Sequence, residues 1–465
     1  MTRAAKTRRH TSAQQLRPRL AALGICLALG LVGCSNTAAP GEKPEETSQT
    51  QAADPADNPA LPGVNEKQRV QVVIAANQLA ADVLKRADKN LVASPASLQM
   101  SLAALSLGAE LESHQVKSNF KDSLGMIDGA VLAAMGKSLK VWDGDVSSLS
   151  PTTLPEKPIL HMVDQVVVDD DAQVKDEFLT KVKDTMGADV LTTDLASLEG
   201  LKPVNDWVKE HSGGILDGAP LEPDENNMVI IQNLATFGAQ WKEHFKVDYT
   251  KPDTFHLASG EGVEVQMMNE FYPMPSAQYE GWVLAEKPYT EGFVAQFILP
   301  PKETGFADLH ADVLTYLDLQ ARAAAAAFEA RDAQDTYSEE FPRHEADSLP
   351  YVNLSVPRTT LQTRAYLRES IAGKDLEGPY GSLFLPGIFP GITDNPAFAI
   401  SDIIQDSMLN ISEAGTLATT LTSIPGGMGA PPSIEVKLDR PFIVLIRDAT
   451  TRWPVYAAKV MDPRG

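Results

Sequence analysis

Cysteine is almost missing: the 465 residues include two, Cys26 and Cys34, both near the N-terminus. Structural disulfides, paired-cysteine metal sites and a cysteine nucleophile are therefore excluded from everything after residue 34. Basic charge is scarce too, with 40 Lys and Arg against 62 Asp and Glu and a net charge of −22. Nucleic acid and anionic lipid headgroups need clustered Lys and Arg, so no nucleic-acid partner is expected. There is no HExxH, no GxSxG and no Walker-type glycine loop. Neither enzyme activity nor a cofactor is expected. The only acid/histidine cluster, His344-Glu345-Ala346-Asp347, has no second ligand pair and reads as a solvated loop, so no metal site is expected.

What the N-terminus does contain is an export signal. Arg3, Lys6, Arg8, Arg9, Arg17 and Arg19 precede an apolar run, Leu20 to Val32, that is too short for a membrane span. Leu31-Val32-Gly33-Cys34 then matches a bacterial lipobox, in which the Cys34 thiol takes the lipid. Residues 1–33 are expected to be the signal peptide, making the protein an exported lipoprotein anchored on the extracytoplasmic side of a membrane. Their loss leaves 34 basic minus 62 acidic groups, or −28, which favours solubility at a cell surface. Residues 34–68, rich in Pro, Ala, Glu, Thr and Gln, read as a disordered tether. Residues 69–465 show no further linker and no internal repeat, and are expected to form one large domain.

Within that domain Val70–Ala87 carries a helical apolar stripe, and a second helix is predicted after Pro95 with Ser94 or Ser97 as cap. Ile159–Val168, Met228–Phe237, Phe293–Leu299 and Val352–Val356 read as strands; 308–331 reads as a helix. The C-terminus is dense in strands at 434–438, 442–447 and 453–460. Helices come mostly early and strands mostly late, which predicts an α+β fold.

The run Glu413 to Thr422 combines strand chemistry with small or aliphatic, uncharged side chains after Glu413. The next residues through Ser423 and Ile424 lead to Pro425–Pro432, whose eight positions hold three Gly and three Pro, a composition for an exposed loop. A potential strand ending in a cleavable tip fits a bait loop; a flexible connector is the plainer reading.

The surrounding motifs favour the bait loop, by resemblance. Asn90-Leu91-Val92-Ala93-Ser94-Pro95-Ala96-Ser97-Leu98, Leu105-Ser106-Leu107-Gly108-Ala109, Asn205-Asp206-Trp207-Val208, Asn233-Leu234-Ala235-Thr236-Phe237 with Trp241 and Phe245, Phe389-Pro390-Gly391-Ile392-Thr393 and Arg440-Pro441-Phe442 occur in one order. That order resembles the serpins, over residues of about 70 to 463. The resemblance implies three β-sheets, about nine helices, a monomer, and a reactive loop that enters the main sheet after a serine protease cuts it.

It also implies roles. Glu413, Gly415 and Thr416 match the family's hinge, and Thr416, Ala418, Thr420 and Thr422 share the face that would enter the sheet. Ser94, Ser97, Asn233 and Trp241 match the region where that sheet opens. Two departures stand out. Gln405 occupies the place of a family His, though an amide still offers a donor and an acceptor to Ser94, Ser97 or Asn233. Ala239 replaces a Gly, which matters only if that backbone needs positive φ. Counts from the two ends of the loop and its M-x-x-P-P pattern put the scissile carbonyl on Met428, Gly429 or Ala430; Met428 fills a pocket best. With no Lys or Arg nearby, elastase-, chymotrypsin- or subtilisin-like proteases are the expected partners. The alternatives are a non-inhibitory binding protein on the same fold, supported by Gln405 and the bulky Leu421, and a two-lobed solute-binding lipoprotein.

Overall fold

The computed structural model describes residues 61, 63–125, 129–149, 154–216, 221–225, 227–332, 349–415 and 433–465. They all lie in one compact unit, Ala53–Gly465. In chain order the first half holds α1 (Glu66–Arg86), β1 (Leu91–Ala93), α2 (Pro95–Ser106), α3 (His114–Leu124), α4 (Ala130–Leu139), β2 (Ile159–Asp169), α5 (Asp176–Met186), β3 (Asp189–Thr193), α6 (Leu198–His211) and β4 (Val229–Gly238). Next come β5 (Lys251–His256), β6 (Gly262–Pro273), β7 (Ser276–Tyr279), β8 (Trp282–Pro288), β9 (Phe293–Leu299) and α7 (Ala311–Asp332). The chain ends with β10 (Tyr351–Pro357), β11 (Thr359–Tyr366), α8 (Leu367–Ala372), β12 (Ile403–Ile411), β13 (Ser433–Lys437), β14 (Phe442–Asp448) and β15 (Pro454–Val460).

The strands make three sheets, as expected: six strands in the order β1-β15-β14-β9-β8-β7, four in the order β13-β10-β6-β5, and five in the order β11-β12-β4-β2-β3. Eight α-helices occur among the described residues, against about nine expected. None is long and apolar enough to cross a membrane.

Local signals explain the element starts. Asn65 closes a capping box with Gln68, each side chain bonding the other's backbone N–H at 3.0 Å, which starts α1 at Glu66. Leu61 and Val64 are already buried in the core, so the packed chain starts earlier than the expected residue 69. Ser94, not Ser97, caps α2 through the Ser97 N–H, and Pro95 takes the first helical position, where its missing donor costs nothing. Every residue of α2 is buried, which places this helix behind the five-stranded sheet, in contact with β2, β4 and β15.

The apolar runs at 159–168, 228–237 and 293–299 become β2, β4 and β9. The late strands form as predicted because they are buried on both faces: β14 and β15 have no exposed residue. Strands β5 to β8 escaped a reading of periodicity alone: β5 and β7 bury a single residue each, β6 alternates cleanly only over Gly262–Met267, and β8 is buried at most positions without an alternating pattern.

Candidate functional site

The five-stranded sheet contains one seam unlike the rest. Strands β12 and β4 run parallel and are in register only from Ile403↔Ile231 to Ser407↔Ala235. Beyond that, β12 continues to Ile411 on β11, and β4 continues to Gly238 on β2. Met408–Ile411 and Thr236–Gly238 thus diverge, and their facing edges share no ladder. A cavity of about 40 Å³ lies in the fork, lined by Thr236, Phe237, Gly238 and Ala239 on one side and Met408, Leu409 and Asn410 on the other. That is room for a water molecule or two, not a strand. Admitting one would require β12 and β4 to move apart by about one strand spacing, ~4.8 Å.

Below the fork a polar row, buried at Gln405 and Asn233 and half-buried at Asp164, holds the seam shut. Gln405, Asn233 and Asp164 stand side by side on β12, β4 and β2. Gln405 Nε2 donates to Asn233 Oδ1 at 2.6 Å and to the Ser94 carbonyl at 3.3 Å, while its Oε1 accepts the Ser94 N–H at 2.5 Å. Asn233 Nδ2 in turn donates to Ser101 Oγ at 2.8 Å, and that hydroxyl lies 3.1 Å from Asp164 Oδ1. Gln405, Asn233, Ser94 and Ser97 are fully buried, so each bond lost here leaves a stranded polar group costing about 1–3 kcal/mol. Loss of solvation pushes the Asp164 carboxyl up to about 7, against the opposing pulls of Ser101 and Lys140.

Gln405 therefore does what a donor-acceptor side chain can do at this place, through Ser94 and Asn233. Ser97 contributes only its backbone: its own hydroxyl is buried without a hydrogen-bond partner.

At the top of the fork the start of the hinge is clamped. The Trp241 N–H donates to the Ala414 carbonyl at 3.0 Å and the Phe245 N–H to the Glu413 carbonyl at 2.8 Å. Trp241 Nε1 donates to the Ser412 carbonyl at 3.0 Å. Its ring stacks on Tyr289 with centroids 4.3 Å apart. The buried Lys287 ammonium, paired with Glu270 at 2.7 Å, sits 4.5 Å from the centre of the Phe245 ring.

Gly415 has φ +86°, and a Cβ there would lie 2.5 Å from the Ala239 carbonyl oxygen and 2.6 Å from the Trp241 nitrogen. Glycine is required for this tight turn, in which Ser412 and Gly415 bond each other's backbone. Ala239 itself is not among the positive-φ residues, so its replacement of a family glycine carries no backbone penalty.

Glu413 is anchored by two partners that no sequence reading singled out. Arg358, at the corner between β10 and β11, donates Nε to both carboxylate oxygens at 2.9 Å, and Thr250 Oγ1 donates at 2.7 Å. Burial alone would raise this carboxyl, but the Arg358 and Thr250 bonds outweigh it and hold Glu413 below the usual carboxylate range. Arg358 lies 55 residues away in sequence, and no local pattern marks it. Ser101 and Asp164 were missed as well, although Asp164 is the single acid inside an apolar run and could have been flagged.

The remaining expected site residues, Thr416, Ala418, Thr420, Thr422, Met428, Gly429, Ala430 and Cys34, lie outside the described residues, as does 344–347.

Comparison with known proteins bears on this geometry. A family model described as serpin (serine protease inhibitor) matches residues 74–463. The alpha-1-antitrypsin-like protein GS55-MS of Ictidomys tridecemlineatus is 25% identical over 382 residues, covering 80% of this chain and 83% of its own length. An uncharacterised serpin-like protein of Thermococcus kodakarensis is 24% identical over 441 residues, 91% of this chain and 94% of its own. Among solved structures, human thyroxine-binding globulin with its hormone superposes with a TM-score of 0.65 at 19% identity, over 86% of this chain and 100% of that one. The thermophilic serpin tengpin in its native state gives 0.60 at 19% identity, over 84% and 94%. At such identities the superpositions speak for the fold alone; with a family model spanning most of the sequence, the chain belongs to the serpin family.

Proposed function

We propose that this serpin inhibits serine proteases as a suicide substrate. Serpins are mostly protease inhibitors rather than catalysts, and relatives of this chain bear the name alpha-1-antiproteinase. Thyroxine-binding globulin has the same fold and, by its description, a hormone ligand, so the fold leaves both roles open. The observation that carries the inhibitory reading is the fork: β12 and β4 part above Ser407 and Ala235, and the hinge Glu413–Gly415 starts at its open end. A segment freed after Gly415 would have a seam to enter, with Thr416, Ala418, Thr420 and Thr422 small and uncharged on the entering face.

In this mechanism the protease serine Oγ attacks the Met428 carbonyl carbon, the C–N bond to Gly429 breaks, and the leaving amine takes the proton delivered by the protease's general base. The acyl-enzyme bond then ties the protease to the end of the entering strand. New ladder bonds, each worth about 1 kcal/mol net, draw that strand down the seam. Met428–Gly429 is the bond we favour, with Gly429–Ala430 next. Elastase-, chymotrypsin- or subtilisin-like enzymes are the targets we infer, because no basic residue lies near the tip. We also read residues 1–33 as a lipoprotein signal and Cys34 as the lipid attachment point, with a monomeric serpin body carried outside the cytoplasm. The two-lobed solute-binding alternative does not fit a three-sheet fold.

The decisive experiment is incubation with these proteases. An inhibitor gives a covalent complex that survives boiling in detergent, and nicking alone raises the melting temperature. Release of a cut protein with an unchanged Tm would sink the proposal and favour a binding role. The mass of the freed C-terminal fragment identifies the scissile bond.

A further inference from the structure

Helix α6 crosses the seam between β12 and β4. Its Leu201 and Val204 share a hydrophobic cluster with Ile404 of β12, Ile230 of β4 and Val167 of β2. The buried Gln232 amide of β4 donates to the Val204 carbonyl at 3.3 Å. Toward the end of the helix, Trp207 and Val208 pack with Leu234 of β4 and Val163 of β2. The last residue, His211, is tied to the same sheet by a hydrogen-bonded pair of imidazoles. His161 Nε2, on β2, and His211 Nδ1 are 3.1 Å apart, with the rings 13° from parallel.

This pair holds only while a single proton lies between the two inner nitrogens. His161 Nδ1 donates to Asp143 Oδ1 at 2.7 Å, which leaves Nε2 to accept the His211 Nδ1–H. A first added proton is housed without breaking the contact. His161 Nε2 takes it and donates inward, and the His211 proton moves to its own Nε2, which faces Asp189 Oδ2 at 3.9 Å. A second added proton has no such place. It sets N–H against N–H at 3.1 Å and puts a positive charge on each of two rings whose centroids are 5.3 Å apart.

The charged groups facing the pair are Asp143, with the Lys140 ammonium 3.8 Å from its Oδ2, Asp189 on β3, and Glu210 on α6. Asp189 also accepts the Trp207 indole N–H at 2.8 Å. Burial first, and then the His161 ring, push His211 below its ordinary value, against the pull of Asp189, Glu210 and Asp143. The unfolded chain therefore takes up more protons here than the folded one. The contribution of the pair is complete above about 6.5 and is lost as pH falls below it. The His161 and His211 side chains keep 14% and 24% exposure, so water can deliver the protons.

We propose that the His161–His211 pair is an acid-sensitive latch, which holds the end of α6 on β2 near neutral pH and releases it when the second proton arrives. Release lets the turn that carries Trp207 and Val208 lift from Val163 and Leu234. Leu234 precedes Ala235, the last residue of β4 paired with β12, so the sheet face uncovered lies beside the fork. Acid would thereby clear the path of an entering strand. That consequence rests on the inhibitory reading; the latch itself does not.

The test is amide hydrogen exchange of α6, read by mass spectrometry at pH 7.5 and pH 5 and scaled for intrinsic exchange. In the wild type, protection of residues 201–211 is expected to fall about tenfold at pH 5 relative to β14 and β15, which report global opening. His211→Asn keeps an amide where Nδ1 stood but takes up no proton, and in this variant the fall should disappear. His161→Gln, with an amide where Nε2 stood, should behave alike. Asp164 titrates over part of the same range, so the latch is read from the difference between wild type and variant. No fall in the wild type, an equal fall in His211→Asn, or one shared by β14 and β15 overturns the latch. No protease enters this measurement, so its failure is distinct from failure of the inhibition experiment.

Discussion

The Gln405 amide donates to the Asn233 side-chain oxygen at 2.6 Å across the seam between β12 and β4. This bond must break before any strand can pass between them. Gln405→Leu strands both the Ser94 N–H and Asn233, and a loss of about 2–4 kcal/mol in urea unfolding is expected. Gln405→His keeps a donor and an acceptor and is expected to stay within about 1 kcal/mol of wild type.

Gly415→Ala is expected to strain the intact protein. Left-handed backbone costs a non-glycine residue about 1–2 kcal/mol, and the new methyl meets main chain at Ala239 and Trp241 that cannot swing aside. Under the insertion mechanism residue 415 becomes extended after cleavage, where alanine is unstrained. The variant should therefore lower the Tm of the intact form and leave that of the cleaved form unchanged.

The Glu413 clamp predicts an acid-side effect. A carboxyl held below its ordinary range stabilises the native state above the unfolded value of about 4.3, and that stability is lost as pH falls through the native value. Arg358→Ala should therefore reduce stability near pH 7, and the difference should close toward pH 3. The magnitude is about 1 kcal/mol or less, since the Arg358 side chain is 47% exposed. Denaturation midpoints of both proteins across that range are the measurement.

Asp164 predicts the opposite trend. Its carboxyl titrates near 7 when folded, above its ordinary 3.8, so the folded protein binds the extra proton and stability falls as pH rises from about 4 to about 7. Asp164→Asn keeps an acceptor for Ser101 but has no charge to desolvate. We expect the unfolding free energy to rise relative to wild type at pH 8, by on the order of 1–3 kcal/mol, and to differ little at pH 4. Parallel curves at both pH values would refute the assignment.

Oxidation probes the bait residue. A sulfoxide at Met428 is polar and a poor pocket filler, so mild peroxide treatment should slow association with elastase- or chymotrypsin-like proteases several-fold. Met428→Leu should resist the treatment. An unchanged rate after complete oxidation would move the scissile bond to Gly429 or Ala430.

Much about this protein was decided along the chain. Apolar runs such as 293–299 read as buried strands, Pro95 with a serine cap at 94 or 97 read as a helix start, and Glu413 with Gly415 marked the hinge through a family resemblance. These are local properties, set by backbone preference and side-chain size within a few residues. Contacts between distant segments were a different matter. Arg358 reaches Glu413, Asp164 joins Gln405 through Asn233 and Ser101, and His161 meets His211 only because sheet register and helix docking bring them together. One-dimensional order states which side chains can form such bonds; which of them meet depends on strands aligned by burial of both faces, and that alignment exists only in the folded molecule.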